Sequence, residues 1–267
     1  MMKKGQQLLA IVGLLLATVS VLGVAYVRHY DWSEVILAGN VQEEPETQLE
    51  EEEIELDEIE TTEMAEPEDE GYKFVKSDVS YFDDALFIGD SRAVGLKEYG
   101  TLDGMTYFTV QGMSIHNLWK KKIAVEDFGE ITLEALLEQQ SYGKVYIMLG
   151  YNELGYDHDY SAKRYKEAMD RIQEFEPGAI IYICSNLHVT EELSSKDELF
   201  NNEIINNYNK KLEELADYEN FFYLDVNTLF DDENGNLPED YAGDNVHPYA
   251  KHYKQWCEWF CENTIQK

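Results

Sequence analysis

The strongest constraint on the fold is a regular alternation of short apolar runs with helix-like stretches, which begins at about Gly71. Strands that alternate with helices are joined by right-handed crossovers and form a parallel sheet with helices on both faces. The runs are almost continuously apolar, which is typical of strands covered on both faces. The predicted strands span residues 85–88, 105–110, 144–149, 179–184 and 221–226, and the predicted helices span residues 92–99, 114–120, 133–140, 161–175, 199–217 and 248–261. We therefore expect an α/β domain over residues 72–267, a three-layer α/β/α sandwich around a five-stranded parallel sheet.

The first 28 residues contain a segment with the properties of a membrane anchor. An uncharged apolar run of 20 residues extends from Leu8 to Val27, and about 20 such residues are enough for a helix to cross a bilayer. Lys3 and Lys4 precede the run, so the positive-inside rule places the amino terminus in the cytoplasm and the bulk of the chain outside. We expect a single-pass cell-membrane protein with an extracytoplasmic domain. Cleavage as a signal peptide near residues 23–25 is the alternative, and it would yield a secreted protein.

Residues 29–71 are expected to form a disordered acidic tether between the anchor and the folded domain. Sixteen of the 29 residues from Gln42 to Glu70 are Asp or Glu, and none is Lys or Arg. Such a segment buries too little apolar surface to order itself, and its charges repel each other. The whole chain has a formal net charge of −33. This balance argues against binding to nucleic acid, which requires a basic face, and against charge-driven docking on anionic lipid.

The segments after the predicted strands contain groups suited to acyl transfer. Ser91 lies at the turn between the first strand and a helix, Gly112 follows the second strand, and Asn152 follows the third. Asp244 and His247 come just before the last helix. These loops should converge, because the carboxyl ends of parallel strands share one edge of the sheet. For Ser91 alone, simple capping of the helix is the alternative.

In this arrangement each residue has a chemical role. Ser91 is the candidate nucleophile, His247 its general base, and Asp244 the group that orients the imidazole. The N–H groups of Ser91 and Gly112 and the side-chain amide of Asn152 would form an oxyanion hole. A glycine suits the second position because the backbone must approach the substrate closely.

These residues resemble the SGNH, or GDSL-type, hydrolase superfamily, whose signature residues are Ser, Gly, Asn and His. Gly89-Asp90-Ser91 matches the first block, Gly112 the second, Gly150-Tyr151-Asn152 the third and Asp244-Asn245-Val246-His247 the last. The matches occur in the family's order, and the resemblance as a whole covers essentially all of residues 82–262. Gly104 is a poorer alternative for the second block. The resemblance implies a flavodoxin-like sandwich and an esterase, lipase, carbohydrate deacetylase or acyltransferase.

Two residues depart from the family pattern. Arg92 replaces the usual leucine after Gly-Asp-Ser, and Glu153 stands where aspartate is common. An ion pair between them at the mouth of the pocket would explain both changes, and two unrelated solvated charges are the alternative. Arg92, Tyr151, Glu153 and His188 are the candidate substrate-binding residues. For Tyr151 the alternative is simple packing, and for His188 it is a position on a surface loop.

Other polar residues give no sign of a further site. His116, His158 and His252 lack the spacing of metal ligands, so neither a metal nor another cofactor is expected. Cys257 and Cys261 lie four residues apart on one helix face and are expected to be packed thiols, with a disulfide or metal pair as the alternative. The asparagines at positions 201, 202, 206, 207 and 209 are expected to form a solvated helix face.

The sequence thus predicts a membrane-tethered serine esterase that acts outside the membrane on an O-acylated carbohydrate or a small ester. Acetyl is the expected acyl group, and no nucleic-acid partner is expected. An O-acyltransferase with the same triad is one alternative, because either water or a sugar hydroxyl can resolve an acyl-enzyme. A non-catalytic module that binds acylated glycans is a second alternative, and a structural envelope protein is a third.

Overall fold

The computed structural model describes residues 73–266. The predicted membrane anchor from Leu8 to Val27 and the predicted tether over residues 29–71 lie outside the described residues. Between residues 73 and 266, no helix combines the length and the apolar character needed to cross a membrane. The anchor and the tether therefore stay predictions.

Seven strands form two sheets in the described part of the chain. They are β1 (Ala85–Gly89), β2 (Thr106–Thr109), β3 (Lys122–Val125), β4 (Gly129–Thr132), β5 (Lys144–Met148), β6 (Ile180–Cys184) and β7 (Phe221–Leu224). Five of them form a parallel sheet in the order β2-β1-β5-β6-β7. The predicted five-stranded parallel sheet is confirmed. Because β1 lies between β2 and β5, the loops that follow these three strands are neighbours at one edge.

Helices cover both faces of the five-stranded sheet. They are α1 (Ser91–Tyr99), α2 (Leu133–Gln139), α3 (His158–Phe175), α4 (Glu191–Ser194), α5 (Asn202–Glu213), α6 (Asn227–Phe230) and α7 (Tyr253–Glu262). Leu86 and Ile88 of β1 belong to a buried core that also contains side chains of α2, α3 and α5. Ala85 and Phe87 belong to a second core with side chains of α1 and α7. This alternation along one strand is the signature of a three-layer sandwich.

The helix predicted over residues 114–120 is wrong, because only a short 3-10 turn, Leu118–Lys120, forms there. The Asn117 side chain accepts a hydrogen bond from the Ser114 N–H at 3.1 Å and donates one to the Gly112 carbonyl at 3.4 Å. Such local side-chain bonds offer the backbone an alternative to the helix. The segment after β2 is therefore an ordered loop.

The structure contains an antiparallel hairpin, β3 and β4, that the sequence did not predict. Residues of β3 alternate between exposed and buried, and Ile123 pairs with Ile131 of β4. The connecting turn places Asp127 and Gly129 at positive φ, 65° and 68°. Two strands of four residues give only a short alternating pattern, so the local signal for this hairpin is weak.

The cysteines in the described residues agree with the prediction of packed thiols. Cys184, Cys257 and Cys261 are all free. Cys257 is buried, and its sulfur accepts a hydrogen bond from the Thr101 N–H at 3.2 Å. Its position in α7 therefore reflects packing against the end of α1.

Candidate active site

Ser91, His247 and Asp244 form one hydrogen-bonded chain. The Ser91 Oγ is 2.8 Å from the His247 Nε2, and the His247 Nδ1 is 2.7 Å from the Asp244 Oδ2. A carboxylate beside Nδ1 favours the tautomer with a proton on that nitrogen, which leaves Nε2 to accept a proton from Ser91. The structure thus brings together the three predicted catalytic residues, although 156 sequence positions separate Ser91 from His247.

Ser91 begins helix α1 but does not cap it. The N-cap residue is Asp90, whose Oδ1 accepts a hydrogen bond from the Arg92 N–H at 3.0 Å. The capping alternative for Ser91 is therefore wrong. Because Asp90 satisfies the helix end, the Ser91 hydroxyl remains available to His247.

A tight turn orients His247. The Asp244 Oδ1 accepts hydrogen bonds from the N–H groups of Val246 at 3.0 Å and His247 at 2.8 Å, and Asn245 adopts a φ of 68°. Partial burial raises the pKa of Asp244. Hydrogen bonds from the His247 N–H, the His247 side chain and the Val246 N–H outweigh this effect and hold the pKa below its usual value. The carboxylate is therefore kept ionised next to the imidazole.

Two further contacts attach this turn to the rest of the domain. The Thr190 N–H donates to the Asn245 carbonyl at 3.1 Å. The Arg92 Nε donates to the Val246 carbonyl at 3.3 Å. This turn, residues 244–247, is called here the histidine turn. It is thus held by the loop after β6 on one side and by α1 on the other.

The three predicted oxyanion donors come from neighbouring loops. Within residues 73–266, the N–H groups of Ser91 and Gly112 donate no hydrogen bond to another residue. The Asn152 Nδ2 donates to the Met113 carbonyl at 2.9 Å and to the Asp90 Oδ2 at 3.2 Å. Two backbone donors are thus available, while the Asn152 amide joins the loops after β2 and β5. Its role as an oxyanion donor stays a prediction.

Gly112 and Gly150 are needed for different physical reasons. Gly112 has a φ of +68°, and nothing lies within 4 Å of the position that a Cβ would take. At Gly112 the backbone conformation alone favours glycine. Gly150 has a φ of +144°, and a Cβ there would collide with the Asn186 amide and the Tyr208 ring. The exposed backbone of Gly112 is open to close approach by a substrate.

The predicted ion pair between Arg92 and Glu153 is wrong, and neither residue lies at a pocket mouth. Arg92 is only 2% exposed, and its guanidinium lies 4.2 Å from the centre of the Tyr151 ring. Glu153 is fully buried, and its Oε1 accepts a hydrogen bond from the Ile115 N–H. Both side chains are therefore buried parts of the site's framework, and their predicted contact with substrate is not supported.

Two carboxyl groups, Asp90 and Glu153, and one guanidinium, Arg92, are buried in this part of the domain. Burial raises the pKa of the Asp90 carboxyl, although the Arg92 guanidinium opposes this shift. Burial also raises the pKa of Glu153 to about 8, and the nearby Asp90 charge acts in the same direction. The Glu153 Oε2 has no hydrogen-bond partner among the described residues. Both effects favour the protonated, neutral form of Glu153 over the carboxylate.

The last two predicted substrate-binding residues are also part of the framework. Tyr151 is half-buried, with the Arg92 cation on its ring and Phe200 stacked at 5.0 Å. His188 is buried, its Nδ1 2.8 Å from the Asp231 Oδ2 and its Nε2 2.9 Å from the Asn206 Oδ1. Neither ring nitrogen of His188 is left for a substrate, and the surface-loop alternative is wrong as well. Burial lowers the pKa of His188, but the bond to Asp231 and its charge outweigh this effect and raise the pKa above its usual value.

The asparagines of α5 are not a solvated face throughout. Asn202 and Asn209 are buried. Asn202 exchanges hydrogen bonds with the backbone of Val189, and Asn209 does so with the backbone of Asn186. These amides hold the loop after β6, which in turn contacts the histidine turn. The pattern of polar residues along α5 gave no signal of this role, because amides look alike whether buried or exposed.

One protein family matches most of this domain. Residues 87–255 match the family model described as GDSL-like Lipase/Acylhydrolase family. This range is more than half of the 267 residues and contains Ser91, Gly112, Asn152, Asp244 and His247. No curated protein matches the chain.

Several solved structures resemble the domain. A protein from Streptococcus pneumonia, provisionally described as a platelet activating factor, is 22% identical with a TM-score of 0.51, over 67% of this chain and 81% of its own. A GDSL-like lipase from Bacteroides thetaiotaomicron is 17% identical with a TM-score of 0.49, over 66% of this chain and 84% of its own. An acetylxylan esterase from Geobacillus stearothermophilus is 16% identical with a TM-score of 0.44, over 66% of this chain and 91% of its own. At these identities the likeness concerns the fold alone.

The burial of Glu153 predicts a pH-dependent effect of Glu153→Gln on stability. A carboxyl whose pKa is raised on folding to about 8 stabilises the fold fully below its unfolded pKa, near 4.5, and loses this stabilisation as pH rises towards 8. Glutamine is neutral at every pH and keeps the oxygen that accepts from Ile115. The unfolding free energy of Glu153→Gln should therefore rise relative to wild type between pH 5 and pH 8.5, by on the order of a few kcal/mol. Urea unfolding at the two pH values measures this difference.

Glu138→Gln is the matched control, because Glu138 is exposed on α2. It should leave the difference from wild type nearly unchanged between the two pH values. If Glu153→Gln behaved like this control, Glu153 would not be a buried neutral acid.

Proposed function

The chain belongs to the GDSL-like lipase/acylhydrolase family and is a carboxylic ester hydrolase, and from this premise we propose that Ser91, His247 and Asp244 carry out the hydrolysis. The observation that supports the proposal is the continuous chain of hydrogen bonds from the Ser91 Oγ through His247 to Asp244, at 2.8 and 2.7 Å. A nucleophile within hydrogen-bond reach of a base, which a third group orients, is the arrangement that nucleophilic catalysis requires.

The reaction has two halves. In the first, the Ser91 Oγ attacks the ester carbonyl carbon while His247 Nε2 takes the hydroxyl proton. The tetrahedral intermediate places its negative oxygen near the N–H groups of Ser91 and Gly112. Asn152 becomes the third donor by exchanging its longer bond, the one to Asp90, for a bond to this oxygen. His247 then gives its proton to the leaving alcohol, and the acyl group remains on Ser91. In the second half, His247 takes a proton from water, the hydroxide attacks the acyl-enzyme, and Ser91 regains its proton as the acid leaves.

The openness of the site favours a short acyl group. The His247 and Asp244 side chains are 39% and 58% exposed. A long acyl chain gains about 0.8 kcal/mol for each methylene that it buries, and an open site offers little of this gain. We therefore propose acetyl or a similarly small acyl group. An O-acylated carbohydrate or a small ester is the proposed substrate, and its alcohol part remains in the open half of the site.

We also propose that the enzyme is held at the membrane and acts on its extracytoplasmic side. The support comes from the sequence: an uncharged run from Leu8 to Val27, preceded by Lys3 and Lys4. Such a run is long enough to span a bilayer, and the lysines favour a cytoplasmic amino terminus. The acidic residues 42–70 would keep the domain away from an anionic surface.

Ser91→Ala should abolish both covalent labelling by a fluorophosphonate and the hydrolysis of 4-nitrophenyl acetate. We expect turnover to fall by on the order of 10⁴-fold or more, because the acyl-enzyme can no longer form. Asn152→Ala should lower it by about 10²–10³-fold, since two backbone donors remain. Ser141→Ala, an exposed serine just before β5, is the control and should behave as wild type. Wild-type turnover in Ser91→Ala would show that the nucleophile is assigned wrongly.

Asp244→Asn should lower turnover by up to about 10⁴-fold, because an amide neither favours the Nδ1–H tautomer nor stabilises the imidazolium. The backbone bonds from Val246 and His247 can still reach the asparagine oxygen, so the turn itself should persist. Steady-state kinetics on 4-nitrophenyl acetate measure the loss. Asp240→Asn changes the same formal charge at an exposed position of the same segment and should retain activity. An undiminished rate in Asp244→Asn would mean that His247 does not depend on Asp244.

The anchor can be tested by extraction of membranes with alkaline carbonate. The full chain should stay in the membrane pellet, because a spanning helix resists this treatment while peripheral proteins are released. A chain that starts at residue 73 is the control and should remain in the supernatant. A mature protein that begins near Tyr26 and is recovered in solution would instead indicate a cleaved signal and a secreted enzyme.

A further inference from the structure

Three aromatic rings cluster next to the candidate active site. The His116 ring stacks on Tyr160, with centroids 5.5 Å apart and planes at 8°, and lies 4.5 Å from the Tyr156 ring. Tyr156 and Tyr160 are 49% and 54% exposed. The cluster, called here the aromatic rim, consists of His116, Tyr156 and Tyr160. Single exposed rings are ordinary on protein surfaces, but here two exposed tyrosine rings both pack against the same histidine ring and form an exposed aromatic cluster.

Two residues of the aromatic rim closely follow the predicted oxyanion donors Gly112 and Asn152 in the sequence. His116 is four residues after Gly112, and Tyr156 is four residues after Asn152. Four residues of fully extended chain span at most about 14 Å. The two segments are also bonded to each other, since Glu153 accepts from the Ile115 N–H and its carbonyl accepts from the Tyr156 N–H at 2.8 Å. Asn152 in turn donates to Asp90, the residue before Ser91, at 3.2 Å, so the rim is within a few sugar lengths of Ser91.

The rim carries no charge that would attract an anion. Burial lowers the pKa of His116, and the Arg164 cation acts in the same direction, so the imidazole is neutral at neutral pH. Arg164 itself is paired with Glu167 at 2.6 Å. Residues 73–266 contain 36 Asp and Glu against 17 Lys and Arg, so the surrounding field repels anionic ligands. A neutral ligand with a flat apolar face is the best match.

We propose that the aromatic rim binds a sugar ring of a neutral O-acylated polysaccharide, next to the unit whose ester bond lies at Ser91. The C–H face of a pyranose is apolar and stacks on an aromatic ring, while its equatorial hydroxyls can bond to phenol groups such as those of Tyr156 and Tyr160. This inference rests on the proposed esterase function and names its substrate class. It assigns the rim to the alcohol part of the substrate, which would give the enzyme a preference for chains over single acylated sugars.

The test measures how the full-length protein hydrolyses substrates with an increasing number of sugar units. O-acetylated xylo-, cello- and chito-oligosaccharides of one to four units are hydrolysed beside 4-nitrophenyl acetate. For wild type, we expect kcat/KM to rise with chain length in at least one series. Tyr156→Ala and Tyr160→Ala should each lower kcat/KM for the four-unit substrate by roughly three- to tenfold, mostly through KM, and leave 4-nitrophenyl acetate within twofold of wild type.

Three further variants separate stacking from damage to the fold. Tyr156→Phe and Tyr160→Phe keep the rings and should retain most of the chain-length preference. Tyr99→Ala removes an equally exposed tyrosine, 52% exposed, at the opposite end of α1 from Ser91, and should have no effect on either substrate. Calorimetric titration of Ser91→Ala with the four-unit oligosaccharides measures binding without turnover, and Tyr156→Ala in that background should weaken it.

The outcomes distinguish this inference from the proposed function. If wild type hydrolysed no ester in a Ser91-dependent way, the proposed function itself would fail. If 4-nitrophenyl acetate were hydrolysed but kcat/KM did not rise with chain length in any series, the rim would not be a sugar site. The same conclusion would follow if the alanine variants lost activity equally towards 4-nitrophenyl acetate and the four-unit substrates. If the alanine variants selectively lost activity towards 4-nitrophenyl esters with longer acyl chains, the rim would bind the acyl group and the proposal would be overturned.

Discussion

The geometry of the site depends on the hydrogen bonds that join the loops after β2 and β5. The Asn152 amide donates to the Met113 carbonyl at 2.9 Å, and the Glu153 carboxyl accepts from the Ile115 N–H. Met113 and Ile115 are buried, where an unpaired backbone group would cost about 1–3 kcal/mol. Because β1 lies between β2 and β5, these bonds connect the loops on either side of Ser91. They hold in place the loop that contains the exposed Gly112, whose own carbonyl accepts only a bond from Asn117 among the described residues.

The buried charges explain how this chain accommodates an arginine where its family usually has leucine. A guanidinium at 2% exposure is costly unless other groups compensate for its lost hydration. Here the Val246 carbonyl, the Tyr151 ring and the neighbouring Asp90 provide part of that compensation, and the Arg92 Nη2 has no hydrogen-bond partner among the described residues. The Arg92 bond to Val246 also ties α1 to the residue before His247. The substitution therefore adds a contact to the histidine turn, whereas leucine could only pack against it.

Much of the fold could be predicted because its strands are buried on both faces. The five central strands read as apolar runs, and their predicted bounds differ from the observed ones by two residues at most. Ser91, Asp244 and His247 could be predicted to meet because all three follow strands or precede the last helix at one edge. Arg92, Glu153 and His188 were misjudged for one reason: a charged or polar side chain is assumed to face solvent, and only the tertiary structure reveals the partners that allow its burial. The helix predicted after β2 failed because Asn117 bonds locally to the backbone.

The exposure of the triad determines where substrate selectivity can come from. Asp244 is 58% exposed on its side chain, and at such a position solvent and salt screen its attraction to the imidazolium. Its orientation therefore relies on short-range bonds, chiefly the two backbone N–H groups on its Oδ1. The same openness leaves few apolar walls to grip an acyl chain. We then expect discrimination between substrates to come from surfaces beside the triad, and the rings of the proposed sugar site are such a surface. In this proposal the enzyme selects its ester through the alcohol rather than the acid.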